Sequence, residues 1–129
     1  MVVIYIDGRC KPADWFGVGP GAFAWARVEE NNVTAYDSDS CDKVTHNRAQ
    51  MIAIIEALTA NDDLWLTIVS DSPLIIKGAT KQEQREKNFD LWKQIDELTH
   101  SRSITWESVK GLNQWNNYVH WLTQEACPT

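Results

Sequence analysis

Hydrophobic residues fall into runs along this chain that predict where strands begin and end. Residues 2–6 form a continuous apolar run rich in β-branched side chains, which is typical of a central strand buried on both faces. The run stops at Asp7, so we expect this carboxylate at the end of a strand, near the surface of the sheet. A second strand, predicted over 64–71, also ends on an acid, Asp71.

The remaining pattern completes an α/β arrangement. Alternating positions in 22–30 and 33–40, on either side of a turn, indicate an antiparallel hairpin. Apolar residues at helical spacing predict helices, and a further run predicts a fifth strand: helices over 47–60, 73–78, 84–99 and 113–126, and a strand over 103–109. We therefore expect one domain over residues 1–129, built on a five-stranded mixed sheet with helices on both faces.

Composition favours a packed globular protein. Apolar residues make up 43% of the 129 residues and seven residues are tryptophan. Trp121 and three other tryptophans recur at spacings typical of a core, whereas Trp15 and Trp115 lie in or near loops and are candidates for base stacking. The chain has no signal-like start and no long apolar run, so we expect a cytoplasmic monomer that does not enter a membrane.

Charge alone does not suggest a nucleic-acid partner. Twelve basic and eighteen acidic residues give a net charge of −6, which repels a polyanion at long range. Five of the twelve cations nevertheless fall within 77–93. This segment is compatible both with a solvated helix face and with a surface that faces phosphates.

Four short strings follow one another in a fixed order, and together they are much more specific than any one of them. They are IYIDG at 4–8, THNRAQ at 45–50, IVSDS at 68–72 and ITWESVKG at 104–111. In this order the strings resemble the ribonuclease H type 1 family, and the resemblance covers nearly the whole chain. The resemblance implies the RNase H-like fold. It also implies cleavage of the RNA strand of RNA–DNA hybrids by two Mg²⁺ ions that four acids hold, in the order Asp, Glu, Asp, Asp.

The chain departs from that acidic quartet at two of its four positions. Asp7 and Asp71 match the first and third acids, whereas Gln50 replaces the Glu and His120 replaces the final Asp. The resemblance implies that these four are the catalytic and metal-binding residues, with up to two Mg²⁺ or Mn²⁺ ions as cofactors. Gln50 offers only a neutral amide oxygen and is also explained as a polar residue in the first turn of a helix. His120 is a true metal ligand by chemistry, but a lone histidine on a helix is more often a surface residue.

The resemblance also implies contacts with the hybrid. The glycines at 19 and 21 would approach its minor groove, where 2′-hydroxyl groups mark the RNA strand, and Thr45 and Arg48 would hold a DNA-strand phosphate. The candidate nucleic-acid-binding residues are Gly19, Gly21, Thr45, His46, Asn47, Arg48, Ser72 and Lys110. Three departures from the family pattern weaken the case for efficient hydrolysis: Pro73, a short basic segment at 81–88, and a loop after Gly111 that lacks a histidine.

Three hypotheses follow for the function. The first is a ribonuclease H-like endonuclease whose activity is reduced or shifted toward Mn²⁺ by Gln50 and His120. The second is a catalytically inactive module of the same fold that binds nucleic acid. The third is a protein-interaction module of that fold, for which the negative net charge is no handicap.

The surviving ligands predict a preference between metal ions. Imidazole suits Mn²⁺ better than Mg²⁺, so any cleavage of a hybrid should be at least about tenfold faster in Mn²⁺ at matched concentration. Initial rates on one labelled hybrid in the two ions measure this directly. Equal rates would contradict a role for His120 as a metal ligand.

Overall fold

The computed structural model describes residues 1–12, 15–109 and 111–128. These residues form strands and helices in an alternating order that follows the predicted one. The strands are β1 (Val2–Cys10), β2 (Gly19–Glu29), β3 (Asn32–Val44), β4 (Trp65–Ser70) and β5 (Ser103–Ser108). The helices are α1 (His46–Ala60), α2 (Pro73–Thr80), α3 (Phe89–Thr99) and α4 (Gln114–Ala126), with a short 3₁₀ turn at Gln82–Gln84.

All five strands belong to one mixed sheet, which confirms the predicted architecture. The strand order is β3-β2-β1-β4-β5, with β1 antiparallel to β2 and β2 antiparallel to β3. Strand β4 is parallel to β1 and to β5. The central strand β1 and its neighbour β4 are therefore parallel, and each of the two candidate acids comes after the paired residues of its strand.

The expected position of Asp7 at the end of a strand is wrong. Strand β1 continues through Asp7 to Cys10, because β2 stays paired with it as far as Gly21. On the other side, the pairing of β1 with β4 covers only Val3–Tyr5. Asp7 thus lies inside β1 but beyond its parallel pairing with β4, and only 3% of its surface is exposed.

Helices cover the two faces of the sheet, as the sequence predicts. On one face, α1 packs against β1 and β2, and α3 packs on α1, around a core that includes Ile4, Ile54 and Ile95. On the other face, α4 lies against β1 and β2, where Val119 is fully buried. None of the helices in the described part of the chain is long and apolar enough to cross a bilayer.

Two helix boundaries differ from the predicted ones for local reasons. Helix α3 begins at Phe89 because Asn88 adopts a left-handed conformation (φ 60°), which interrupts the helix expected from residue 84. Helix α2 continues past Gly78 to Thr80. Gly78 packs against the indole of Trp92, and a Cβ at this position would lie 2.3 Å from a ring carbon. The glycine therefore permits close packing of α2 and does not end it.

The tryptophans divide between core and surface less simply than their spacing suggests. Trp25 and Trp92 are buried, but Trp121 is 52% exposed. Its ring stacks on Tyr118, with 6.3 Å between ring centroids, and Tyr118 meets Tyr36 edge to face. The prediction of a core position for Trp121 is thus wrong. Trp121 lies at the edge of the face of α4 that packs on the sheet, so half of its side chain is exposed.

Candidate active site

The centre of the candidate site is the carboxylate of Asp7. Oxygen Oδ1 accepts a hydrogen bond of 3.0 Å from the side-chain nitrogen of Gln50. Oxygen Oδ2 lies 3.0 Å from the hydroxyl of Thr123 and 3.1 Å from Nδ1 of His120. Because Asp7 is almost fully buried, these contacts replace the water that an exposed carboxylate would bind.

Gln50 reaches Asp7 because α1 passes unusually close to β1. A Cβ on Gly8 would lie 2.3 Å from the backbone nitrogen of Gln50, so only glycine permits this approach. The side chain of Gln50 is fully buried, and its Nε2 donates both to Asp7 and, at 3.1 Å, to the carbonyl of Gly8. Both partners can only accept, which fixes the amide with its nitrogen toward Asp7 and its oxygen toward Ser70.

His120 and Thr123 are three residues apart on α4 and therefore share the helix face that meets Asp7. The imidazole is half exposed. Since the carboxylate of Asp7 accepts, Nδ1 carries the proton in the neutral ring, and Nε2 is left to accept from the amide of Gln124 at 3.3 Å. Asp7 thus orients the ring of His120 in one tautomer.

Asp71 follows directly after β4 and has an exposed side chain. Partial burial of its carboxyl and then the charge of Asp7 raise the pKa of Asp71, while His120 and His46 act in the opposite direction. The charges of Asp7, His120 and His46 therefore act on the carboxyl of Asp71, and among these groups Asp7 is the other carboxylate.

This donor set suits one divalent ion better than two. The described residues contain no group of three or more His, Cys, Asp or Glu side chains arranged to hold an ion. Gln50 turns its N–H groups, and not its oxygen, toward Asp7. Two carboxylates with water ligands are a normal site for one Mg²⁺ or Mn²⁺, so Asp7 and Asp71 are the residues that fit it.

Several of the candidate nucleic-acid-binding residues already have partners within the protein. Thr45 caps α1 by accepting from the backbone nitrogen of Arg48 at 3.1 Å, and Ser72 caps α2. Gly21 pairs with strands on both sides, and a Cβ there would lie 2.2 Å from the carbonyl of Arg9. Gly19 begins β2, His46 is exposed, Asn47 is partly exposed, and Lys110 lies outside the described residues.

Arg48 is engaged by a nearby acid. Its guanidinium forms two hydrogen bonds with the carboxylate of Asp90, at 2.8 and 2.9 Å, and a third with Asn88 at 3.1 Å. The guanidinium holds the pKa of Asp90 at about 2. A phosphate at Arg48 would therefore have to compete with a carboxylate of this chain.

No sequence pattern points to Thr123, Gly8 or Asp90 as part of the site. Thr123 could have been noticed as a polar residue three positions after His120, between the buried Leu122 and the exposed Gln124. The approach of α1 to Gly8 and the pairing of Arg48 with Asp90 link residues about forty positions apart, and no local pattern carries such information.

Comparison with known proteins agrees with this fold. The family model of RNase H matches residues 1–126. A ribonuclease H of Cupriavidus pinatubonensis is 32% identical over 126 residues, covering 87% of this chain and 83% of that protein. A ribonuclease H of Albidiferax ferrireducens is 33% identical over 132 residues, with the same coverage of the two chains.

Solved structures show the same fold. RNase H1 of the archaeon Halobacterium salinarum superposes with a TM-score of 0.76 at 26% identity, over 97% of this chain and 96% of that one. LC11-RNase H1, solved in complex with an RNA/DNA hybrid, gives a TM-score of 0.83 at 19% identity, over 98% and 96% of the two chains. The protein has the RNase H-like fold, and the chain belongs to the ribonuclease H family.

The orientation of Gln50 predicts the effect of restoring an acid there. Gln50→Glu would place a carboxylate against Asp7 and the Gly8 carbonyl, where two hydrogen bonds are now donated. In EDTA the free energy of unfolding should fall by roughly 1–3 kcal/mol, and Mg²⁺ or Mn²⁺ should restore it. Urea denaturation with and without metal measures both effects. Gln84→Glu, an exposed substitution with the same change of charge, is the control. Unchanged stability of Gln50→Glu in EDTA would contradict the fixed amide orientation.

Proposed function

We propose that this protein is a ribonuclease H-like endonuclease that binds RNA–DNA hybrids and hydrolyses the RNA strand slowly, with the aid of a divalent ion. The observation that carries the proposal is the pair Asp7 and Asp71, which two parallel strands bring to one edge of a ribonuclease H fold. The relatives named ribonuclease H and the hybrid-bound structure of LC11-RNase H1 support the substrate class.

Each residue of the candidate site would have its own role. Asp7 and Asp71 would hold the ion, which when bound would activate a water molecule as the nucleophile and neutralise charge on the phosphate. Gln50 fixes one oxygen of Asp7 from the side of α1. His120 is half exposed, and Asp7 orients its ring. Its Nε2 would exchange a proton with solvent or substrate once its hydrogen bond with Gln124 breaks.

The loss of two carboxylates sets the expected rate. Near an effective dielectric constant of 20, each ligand charge about 4 Å away contributes roughly 4 kcal/mol to each ion. Even after heavy discounting, the missing charges should weaken metal binding by about tenfold to a thousandfold. Slow cleavage at millimolar metal is the consequence.

The binding surface has cations to offset the negative net charge. Lys77, Lys81, Lys87 and Lys93 are all exposed in the segment around α2 and α3. Arg85, by contrast, is paired with Asp96 and lies over the ring of Trp92 at 4.2 Å. These four lysines are the groups we assign to phosphate contacts outside the central site.

A second candidate function is binding of the hybrid without cleavage. The hydrogen bonds from Gln50, Thr123 and His120 favour it, because they satisfy the buried carboxylate of Asp7 in the absence of any ion. Such a centre folds and keeps its shape without catalysing hydrolysis. The two candidates share a substrate and differ only in whether the RNA strand is cut.

A cleavage and binding assay on matched nucleic acids separates the two functions. We expect metal-dependent cutting of the RNA strand in a hybrid, no cutting of the same RNA alone or in duplex RNA, and no activity in Asp7→Asn. Hybrid binding without cutting, even by Gln50→Glu with His120→Asp, would support the binding module instead. Neither binding nor cutting by the wild-type protein and the double variant would exclude nucleic acid as the partner. Sedimentation of the same sample tests the proposed monomeric state.

The pairing of Arg48 with Asp90 makes a further prediction about affinity. Asp90→Asn frees the guanidinium for a phosphate, so hybrid binding should tighten by about two- to fivefold. The dependence of log K on log salt should also steepen by about one unit, as for one added phosphate contact. Glu29→Gln is the control, because it removes one negative charge while Arg27 keeps its ion pair with Asp63. Equal effects of the two variants would show that only net charge matters.

A further inference from the structure

Thr123 has two acceptors for a single hydroxyl proton. Its side chain is fully buried on α4. Its hydroxyl oxygen lies 3.0 Å from Oδ2 of Asp7 and 2.7 Å from the backbone carbonyl oxygen of His120. A threonine hydroxyl donates one hydrogen bond, so it serves one of these two oxygens fully at any moment.

The two acceptors differ in how much free energy each loses when the hydroxyl donor leaves. The carbonyl of His120 belongs to the interior of a helix, and a hydrogen bond from a threonine three residues later is an ordinary supplement to it. The carboxylate of Asp7 is charged and nearly fully buried, so it loses more when a donor leaves. Without an ion, the hydroxyl proton belongs with Asp7.

An ion at Asp7 would reverse this preference. A cation on Oδ2 would compete with the two donors at that oxygen, the hydroxyl of Thr123 and Nδ1 of His120, and only the hydroxyl has a second acceptor within the helix. The hydroxyl can then turn to the carbonyl of His120, already within hydrogen-bonding distance, without being left unpaired in the core.

We propose that Thr123 is a positioning residue whose hydroxyl donates to Asp7 when no ion is bound and to the carbonyl of His120 when an ion occupies Oδ2. The inference rests on the proposed function, because it assumes that Asp7 is an ion ligand. Thr123 thereby keeps the site assembled without metal and lowers its affinity for metal.

The test removes the hydroxyl and measures metal binding and metal-free stability separately. Thr123→Val is close in shape, and Thr123→Ala serves if the valine variant does not fold. Compared with the wild-type protein, either should bind Mn²⁺ about three- to tenfold more tightly by calorimetry, because the ion no longer displaces a hydrogen bond. Either should also have a Tm about 3–5 °C lower in EDTA, because a hydrogen bond to a buried carboxylate is lost.

Two further variants control for structural effects. Thr123→Ser keeps the hydroxyl and should restore both values. Thr59→Val removes a hydroxyl that donates to a carbonyl of its own helix, at 2.7 Å and far from any carboxylate of the site, and should leave Mn²⁺ affinity unchanged.

The outcomes separate this inference from the proposed function. If Thr123→Val is less stable in EDTA but binds Mn²⁺ as the wild-type protein does, Thr123 has only a structural role and the inference fails, whereas the proposed function stands. If neither the wild-type protein nor any Thr123 variant binds Mn²⁺ and hybrids are not cut, the proposed hydrolysis fails and the exchange of partners fails with it.

Discussion

A buried carboxylate needs hydrogen-bond donors or a cation to compensate for its charge. The candidate site depends on the donors that this chain supplies to Asp7. Gln50 satisfies one oxygen, and His120 and Thr123 satisfy the other. Gln50 belongs to α1 and the other two belong to α4, which lie on opposite faces of the sheet. The side chain of Asp7, in the central strand β1, therefore forms hydrogen bonds with helices on both faces of the sheet. Loss of its donors would cost stability as well as function.

The same hydrogen bonds to Asp7 also limit how the site could bind a metal ion. At the two positions where the family pattern has acids, this chain has the N–H donors of Gln50 and His120, and Thr123 adds an O–H donor beside them. These donors satisfy Asp7 from within the protein, so we expect an ion that binds Asp7 to displace at least one of their hydrogen bonds. Asp71 is the acid that remains outside this network, and burial together with the charge of Asp7 raises its pKa. A cation between the two carboxylates would relieve that repulsion.

Local patterns predicted most of the fold, since the alternation of strands and the period of helices depend on neighbouring residues. They failed where contacts between residues that are far apart in the sequence determine the structure. The run at 2–6 predicted a strand end at Asp7, but the pairing of β2 extends β1 to Cys10. The family resemblance predicted which positions converge, yet it could not show that Gln50 presents its nitrogen, because the acceptors at Asp7 and Gly8 fix that orientation only in three dimensions. Thr123 was missed for the same reason.

We propose that Asp7 and Asp71 together hold one divalent ion and that Gln50 and His120 do not build a second site. A crystal structure of the wild-type protein grown with millimolar Mn²⁺, with anomalous diffraction data, would test this directly. We expect a single anomalous peak in contact with both carboxylates, with the amide nitrogen of Gln50 still facing Asp7. Two peaks, or one peak bound by the oxygen of Gln50, would overturn this proposal.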